Sequence, residues 1–315
     1  MSIGSKNIVL KSFSFKINNS IDGIIKRYST RNYYNNGLAI SRSLLALCTL
    51  LTLVTNNPKL LFNQSIGQNS ARLDLLPFLS SKINLFKLFH ENLPYLGTVV
   101  AVIILIVVIG GWRPRITGIL HFWVAYSFIG ASALFDGGDQ ICSNLCLFLI
   151  PITLIDNRPN HWKRSPIKLS PYLLIVSNLF FLIVRLQMAF IYFNSATSKF
   201  AVPEWSNGTA VYYWLVDPYF GMNAWQSFIL SPFITSPIFI FIISWGVLAI
   251  ELLLFIGLFV EKKYFNLLLK IGISLHLSFL FCLGLFSFFF AMAGGLFLYL
   301  YVPFLNYRNN YHEGE

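Results

Sequence analysis

The chain has 315 residues, of which 56% are hydrophobic and only 11% charged, against roughly 25% charged in an ordinary globular protein. With Phe occurring 31 times as well, these figures exclude a soluble globular fold, a disordered chain and a disulfide-rich secreted module. The net charge of +11 comes from 23 basic residues, but they cluster in short loops between apolar runs; that pattern excludes a nucleic-acid-binding stripe and belongs to a polytopic membrane protein.

In chain order, residues 1–36 are a basic, Ser/Asn-rich cytoplasmic tail without the apolar stretch of a signal peptide, suited to electrostatic contact with anionic lipid. Crossing ~30 Å of hydrocarbon takes about 20 helical residues. Eight segments meet or approach that length: 38–55, 94–111, 116–135, 140–155, 170–194, 235–260, 264–283 and 286–304. The fourth is short and contains Pro151, and Gly284 marks the reversal between the last two. The predicted fold is an all-α polytopic membrane protein, a bundle of about eight transmembrane helices with both termini cytoplasmic. Domain 37–304 carries extracytoplasmic loops at 56–93 and 195–234, and 305–315 is a cytoplasmic tail.

Alternate loops differ in basic charge as this orientation requires. Fifteen Lys and Arg fall in the predicted cytoplasmic set, including Arg113, Arg115, Arg158, Lys163, Lys262 and Lys263, against five in the other set: Lys59, Arg72, Lys82, Lys87 and Lys199. Charged groups inside spans are costly and therefore mark candidate sites. Arg42 and Lys270 lie near enough to the cytoplasmic side to snorkel. Arg185, at about 23 Å along an outward-running helix, is predicted to meet Asp136 and Asp139, which flank the Gly137–Gly138 turn. This Asp pair is also the only outward carboxylate dyad placed for acid/base work, since neither a His-Glu-x-x-His nor a Gly-x-Ser-x-Gly motif is present.

Glu251 and His276 lie on consecutive spans with a short connection and can meet in the interior as a proton relay, a ligand pocket or a structural contact, with Lys270 a competing partner for Glu251. Lys199 stands just past the fifth span if that helix continues beyond Asn194, about 40° around the helix from Arg185. Glu204, Trp205, Tyr212, Tyr213, Trp214 and Asp217 follow it, an aromatic and polar surface fit for an amphipathic ligand or peptide. Cys142 and Cys146 lie one helical turn apart and suit packing or a redox or metal role; no His close in sequence completes a metal set. No metal and no cofactor is predicted.

Several motifs agree in order and spacing with a known family: Arg185-Leu-Gln-Met-Ala-Phe-Ile-Tyr192, Ser198-Lys199-Phe200, Glu204-Trp205 and Asn207-Gly208-Thr209-Ala210-Val211-Tyr212-Tyr213-Trp214. They resemble the HTTM superfamily, the membrane domain shared with vitamin K-dependent γ-carboxylase. Phe135-Asp-Gly-Gly-Asp-Gln140, Asp156-Asn-Arg158-Pro-Asn-His161-Trp162 and Phe286-Ser-Phe-Phe are most similar to the sporulation-delaying protein B (SdpB) branch. The resemblance implies a multi-pass protein of the bacterial cell membrane. It would be required to produce a secreted antimicrobial peptide, acting with an SdpA-like partner on an SdpC-like precursor. The carboxylase relatives use the lysine matching Lys199 as a base on vitamin K hydroquinone, which implies an alternative: a membrane enzyme acting on a lipophilic quinone-like or peptide substrate. This chain lacks the large lumenal domain of the carboxylase. A peptide transporter or immunity-type binder is a third reading, resting on the Glu251/His276 interior.

Overall fold

The computed structural model describes residues 22–23, 25–62, 83–89, 94–163 and 169–306. Most of the basic tail, much of loop 56–93 and the tail beyond 306 lie outside the described residues. Among the described residues the bundle is built from α1 (Asn36–Thr55), α2 (Pro94–Ile109), α3 (Pro114–Ala131), α4 (Gly137–Ile155), α5 (Pro171–Phe200), α6 (Pro237–Ile256), α7 (Phe265–Leu283) and α8 (Phe286–Leu296), with a further helix, Ala224–Ile234, between α5 and α6. A π-helical stretch over Phe297–Tyr301 extends α8. Among the described residues the extended backbone is limited to one isolated antiparallel bridge, Trp112 with Asn160. The fold is all-α and polytopic. Among the described residues, six helices are long and apolar enough to cross a membrane: α1, α4, α5, α6, α7 with its preceding turn, and α8 with its extension. Of the other two segments read from sequence, α2 is apolar but shorter, and α3 carries Arg115 and His121 within its 18 residues.

Local chemistry sets the helix ends. Pro occupies the first turn of α3, α5 and α6, where its missing N–H costs nothing. The Asn35 side chain accepts from the N–H groups of Gly37 and Leu38 to start α1, and Ser170 caps α5 through Leu173 N–H. Gly284 closes α7 at φ 67°, a left-handed conformation that permits the abrupt reversal into α8. Pro151 does not interrupt α4, which runs through it to Ile155.

α8 packs against α1, α4 and α7, while α5 lies between α4 and α6 and α3 lies on α4. Their facing side chains form one core that includes Leu45, Leu145, Met188, Leu254 and Leu296. A second core, with Leu53, Phe86, Leu105 and Phe128, joins α1, α2 and α3 to the short helices Pro58–Leu61 and Leu85–Leu88. The start of α4 touches α8 at Gly138: a Cβ there would stand 2.5 Å from Phe288 Cα, so only glycine allows this approach.

α5 has 30 residues, about 45 Å at about 1.5 Å per residue, well beyond the ~30 Å a span requires. Its N-terminal end stands level with the N-terminal segment, where Asn178 Nδ2 donates to the carbonyls of Tyr28 (2.7 Å) and Arg31 (2.9 Å). Its C-terminal end runs past Asn194 through Lys199 to Phe200.

Candidate functional site

The last two turns of α5 present Tyr192, Ser195 and Lys199 to α6 and α7. Lys199 Nζ donates to both Glu251 oxygens, at 2.6 and 2.8 Å, and lies 2.6 Å from Ser195 Oγ. Ser195 Oγ in turn lies 3.0 Å from Glu251 Oε1. The i, i+4 spacing of Ser195 and Lys199 stacks them on one helix face, so one carboxylate from α6 serves both. The Trp205 ring centroid lies 5.3 Å from Nζ, completing the ammonium's surroundings with a cation–π contact. Beside this cluster, Tyr192 Oη and His276 Nε2 are 3.0 Å apart. The rings of Phe279 and Phe288 meet the imidazole edge-on, and His276 Nδ1 has no hydrogen-bond partner among the described residues.

Lys199, Glu251, Ser195, Tyr192 and His276 all line a cavity of about 780 Å³, a volume typical of small-molecule sites. Its wall is otherwise mainly apolar, with Trp205, Trp214, Phe239 and Phe288 among the rings that contribute to it. Large apolar area with a few convergent polar groups suits a hydrophobic ligand or peptide segment oriented by one ion pair.

A second polar cluster lies at the other end of the bundle. Arg42 is 1% exposed. It donates to His161 Nδ1 (2.9 Å) and Thr117 Oγ1 (3.0 Å). Arg158 grips Asp156 through Nε (2.9 Å) and Nη2 (2.8 Å), a bidentate pair also buried. Asn160 Nδ2 and Trp162 Nε1 donate to the carbonyls of Gly110 (2.7 Å) and Ile109 (2.9 Å), fastening the loop after α4 to the turn after α2. Burial first, then the positive charges of Arg42 and Arg158, push the His161 pKa down to about 3. A guanidinium only donates, so Nδ1 accepts and the ring is neutral.

The chain is 33% identical over 292 residues to the sporulation-delaying protein SdpB of Bacillus subtilis (strain 168), covering 91% of this chain and 86% of that protein. The chain belongs to the SdpB-like family. It is also 38% identical over 284 residues to the uncharacterized protein YitO of the same organism, covering 89% and 90%. No protein-family model and no solved structure matches it.

The SdpB-like motifs occupy both polar clusters, but several predicted pairings differ. Arg185 does not meet the Asp136/Asp139 turn. Its Nε donates to Tyr299 O (3.2 Å), and its guanidinium faces the rings of Phe265 and Tyr299 at 5.3 and 5.7 Å. The cause is the overlong α5: its first turns reach inward to the N-terminal segment, so Arg185 is level with the start of α7 and the end of α8. Asp136 and Asp139 instead form a capping box on α4, each accepting from the other's N–H at 2.9 and 3.1 Å. Ser287 Oγ donates to Asp136 Oδ2 at 2.6 Å, tying the cap to α8.

Glu251 and His276 share the cavity but have different partners, Lys199 and Tyr192; Lys270 is exposed and does not compete. Counting depth along each span placed Glu251 in the inner half and Lys199 beyond the outer surface, yet their contact sets them at one level. Arg42 does not snorkel, because His161 and Thr117 supply its partners in the interior. Of the aromatic surface, Trp205 and Trp214 line the cavity, whereas Glu204, Tyr212 and Tyr213 are exposed. Asp217 caps a turn by accepting from Tyr219 and Phe220 N–H groups. Cys142 and Cys146 do have a histidine beside them, His121, brought from α3 by helix packing rather than by sequence proximity. Tyr192 and Ser195, which share the polar strip of α5 below Lys199, find their partners on α7 and α6, whereas nothing in the sequence pointed to the Tyr299 carbonyl beside Arg185.

Proposed function

We propose that this protein is a component of the bacterial cell membrane required for maturation of a secreted SDP-like antimicrobial peptide, acting with an SdpA-like partner on an SdpC-like precursor. The family relationship supports the pathway. The observation that carries the site is the Lys199–Glu251 pair set in the wall of a large aromatic cavity. An apolar precursor segment fits the rings, and the ion pair with Ser195 orients a polar backbone or terminus at the rim. The test is production of mature peptide in cells whose own SdpB-type gene is deleted, supplied with this protein, an SdpA-like protein and the precursor. Wild type should restore secretion as read by mass spectrometry of the medium, and Lys199→Ala, at equal protein level, should not. Full secretion by Lys199→Ala would remove the cavity from the mechanism.

A second reading, an HTTM-type enzyme using Lys199 as a base on a lipophilic quinone-like or peptide substrate, draws on the closeness of Glu251 to Nζ. Base action needs the ammonium proton to leave first, and Glu251 is the acceptor in contact with it. Lys199→Arg separates the two readings: a guanidinium preserves an orienting cation but stays protonated, so secretion survives in the first and is lost in the second.

A further inference from the structure

Away from the cavity, three buried side chains on two adjacent helices bring their donor atoms together. His121 of α3 and Cys142 and Cys146 of α4 have their imidazole and Sγ atoms all within 4.8 Å of one another. Cys146 Sγ is 3.5 Å from His121 Nε2. All three are at most 2% exposed, and none lines the cavity described above. The i, i+4 spacing puts both thiols on one face of α4, turned toward α3. On the α1 side, Cys142 Sγ donates to Leu45 O at 3.2 Å and lies 3.8 Å from Thr49 Oγ1, while Cys48 Sγ lies 3.8 Å from Asp139 Oδ1.

We propose that His121, Cys142 and Cys146 bind one zinc ion that clips α3 to α4. Thiolate sulfur with imidazole nitrogen is the donor set zinc prefers, held tetrahedrally in structural sites. Binding is proton-balanced: the two thiols release two protons as the two Zn–S bonds form, while the neutral imidazole donates a lone pair through Nε2. Two thiolates cancel the charge of Zn²⁺, so the filled site buries no net charge in an apolar interior. The fourth tetrahedral position opens toward α1, where Cys48 is the nearest thiol. A third thiolate there would give a charge of −1 facing Arg42, which is within electrostatic reach of Cys146 and whose own hydrogen-bond partners are neutral. Cu⁺ in the same donors would leave each total one unit more negative.

The test uses the full chain in detergent, purified without chelator after growth with zinc. Mass-spectrometric metal analysis should find about one zinc per chain, and Co²⁺ added after chelator treatment should give a thiolate-to-cobalt charge-transfer band. Cys142→Ser, Cys146→Ser and His121→Gln should each hold less than about a tenth of the wild-type zinc, whereas Cys282→Ser, outside the cluster, should hold it all. The cobalt band is read on the wild-type chain, so the test stands even where a variant fails to accumulate. Wild-type protein with neither zinc nor a cobalt band would overturn the site. Retention of zinc by the three ligand variants would overturn the ligand assignment, and uptake of Cu⁺ but not Zn²⁺ would overturn the choice of metal.

Discussion

Lys199 and Glu251 form an ion pair between the last turn of α5 and the last third of α6, with Nζ 2.6 Å from one carboxylate oxygen and 2.8 Å from the other. The two partners are not equally enclosed: the lysine side chain is 21% exposed and the glutamate 5%. The ammonium can turn outward if its partner is lost, but the carboxylate has no such route. Lys199→Met is therefore expected to destabilise the protein by about 3–5 kcal/mol, the usual cost of stranding a buried charge. Glu251→Gln should cost less, and the double variant should recover part of the Lys199→Met loss. Thermal unfolding in detergent reads all three, and equal losses from the two single variants would contradict the asymmetry.

Tyr192 supplies the one hydrogen bond described for the His276 ring. Tyr192→Phe leaves both ring nitrogens unpaired in an apolar wall, with an expected loss of about 1–3 kcal/mol. Adding His276→Phe should restore much of it, because removing both partners removes the unsatisfied group. A double variant less stable than the sum of the singles would show that the imidazole has another role in the fold.

His161 makes stability depend on pH. Its folded pKa of about 3 lies below the ordinary 6.5, depressed by burial and then by Arg42 and Arg158. Below pH 6.5 the unfolded chain takes up a proton that the folded chain refuses. The contribution is complete above that value and is lost progressively as pH falls toward 3. The melting temperature should drop between pH 7 and pH 5, a window above most carboxylate titration, and His161→Asn should flatten that slope. An unchanged slope in the variant would assign the acid sensitivity elsewhere.

Arg185 and the Asp136/Asp139 cap touch different parts of the bundle, so their variants should act independently. Asp136→Ala removes an N-cap and should cost about 0.5–2 kcal/mol. Combined with Arg185→Met, the two stability losses should add to within about 0.5 kcal/mol. A strong coupling energy would reinstate the salt bridge expected from helix register.

Much of the architecture was legible because it depends on local chemistry. Apolar run length located the helices, although α5 runs six residues past the expected 194, and Gly284 marked the reversal before α8. The importance of Lys199, Glu251 and His276 was legible as well, since ionisable groups in apolar segments are conspicuous. Their pairings were not. Depth was counted from helix ends as though every span crossed squarely, and α5, ten residues longer than α6, breaks that assumption at both ends. The role of Asp156-Asn-Arg158-Pro-Asn-His161-Trp162 was equally hidden, because its partners Arg42 and Ile109 come from two other helices.

By itself the sequence determined an all-helical membrane fold and the residues worth suspecting, because periodicity, capping and the cost of burying charge act within a single segment. Only the tertiary structure decided which charges meet, that Arg185 rests on rings rather than on a carboxylate, and that His121 stands beside Cys142 and Cys146. Those outcomes depend on the axial offset of packed helices, and offset is set by contacts among all of them together.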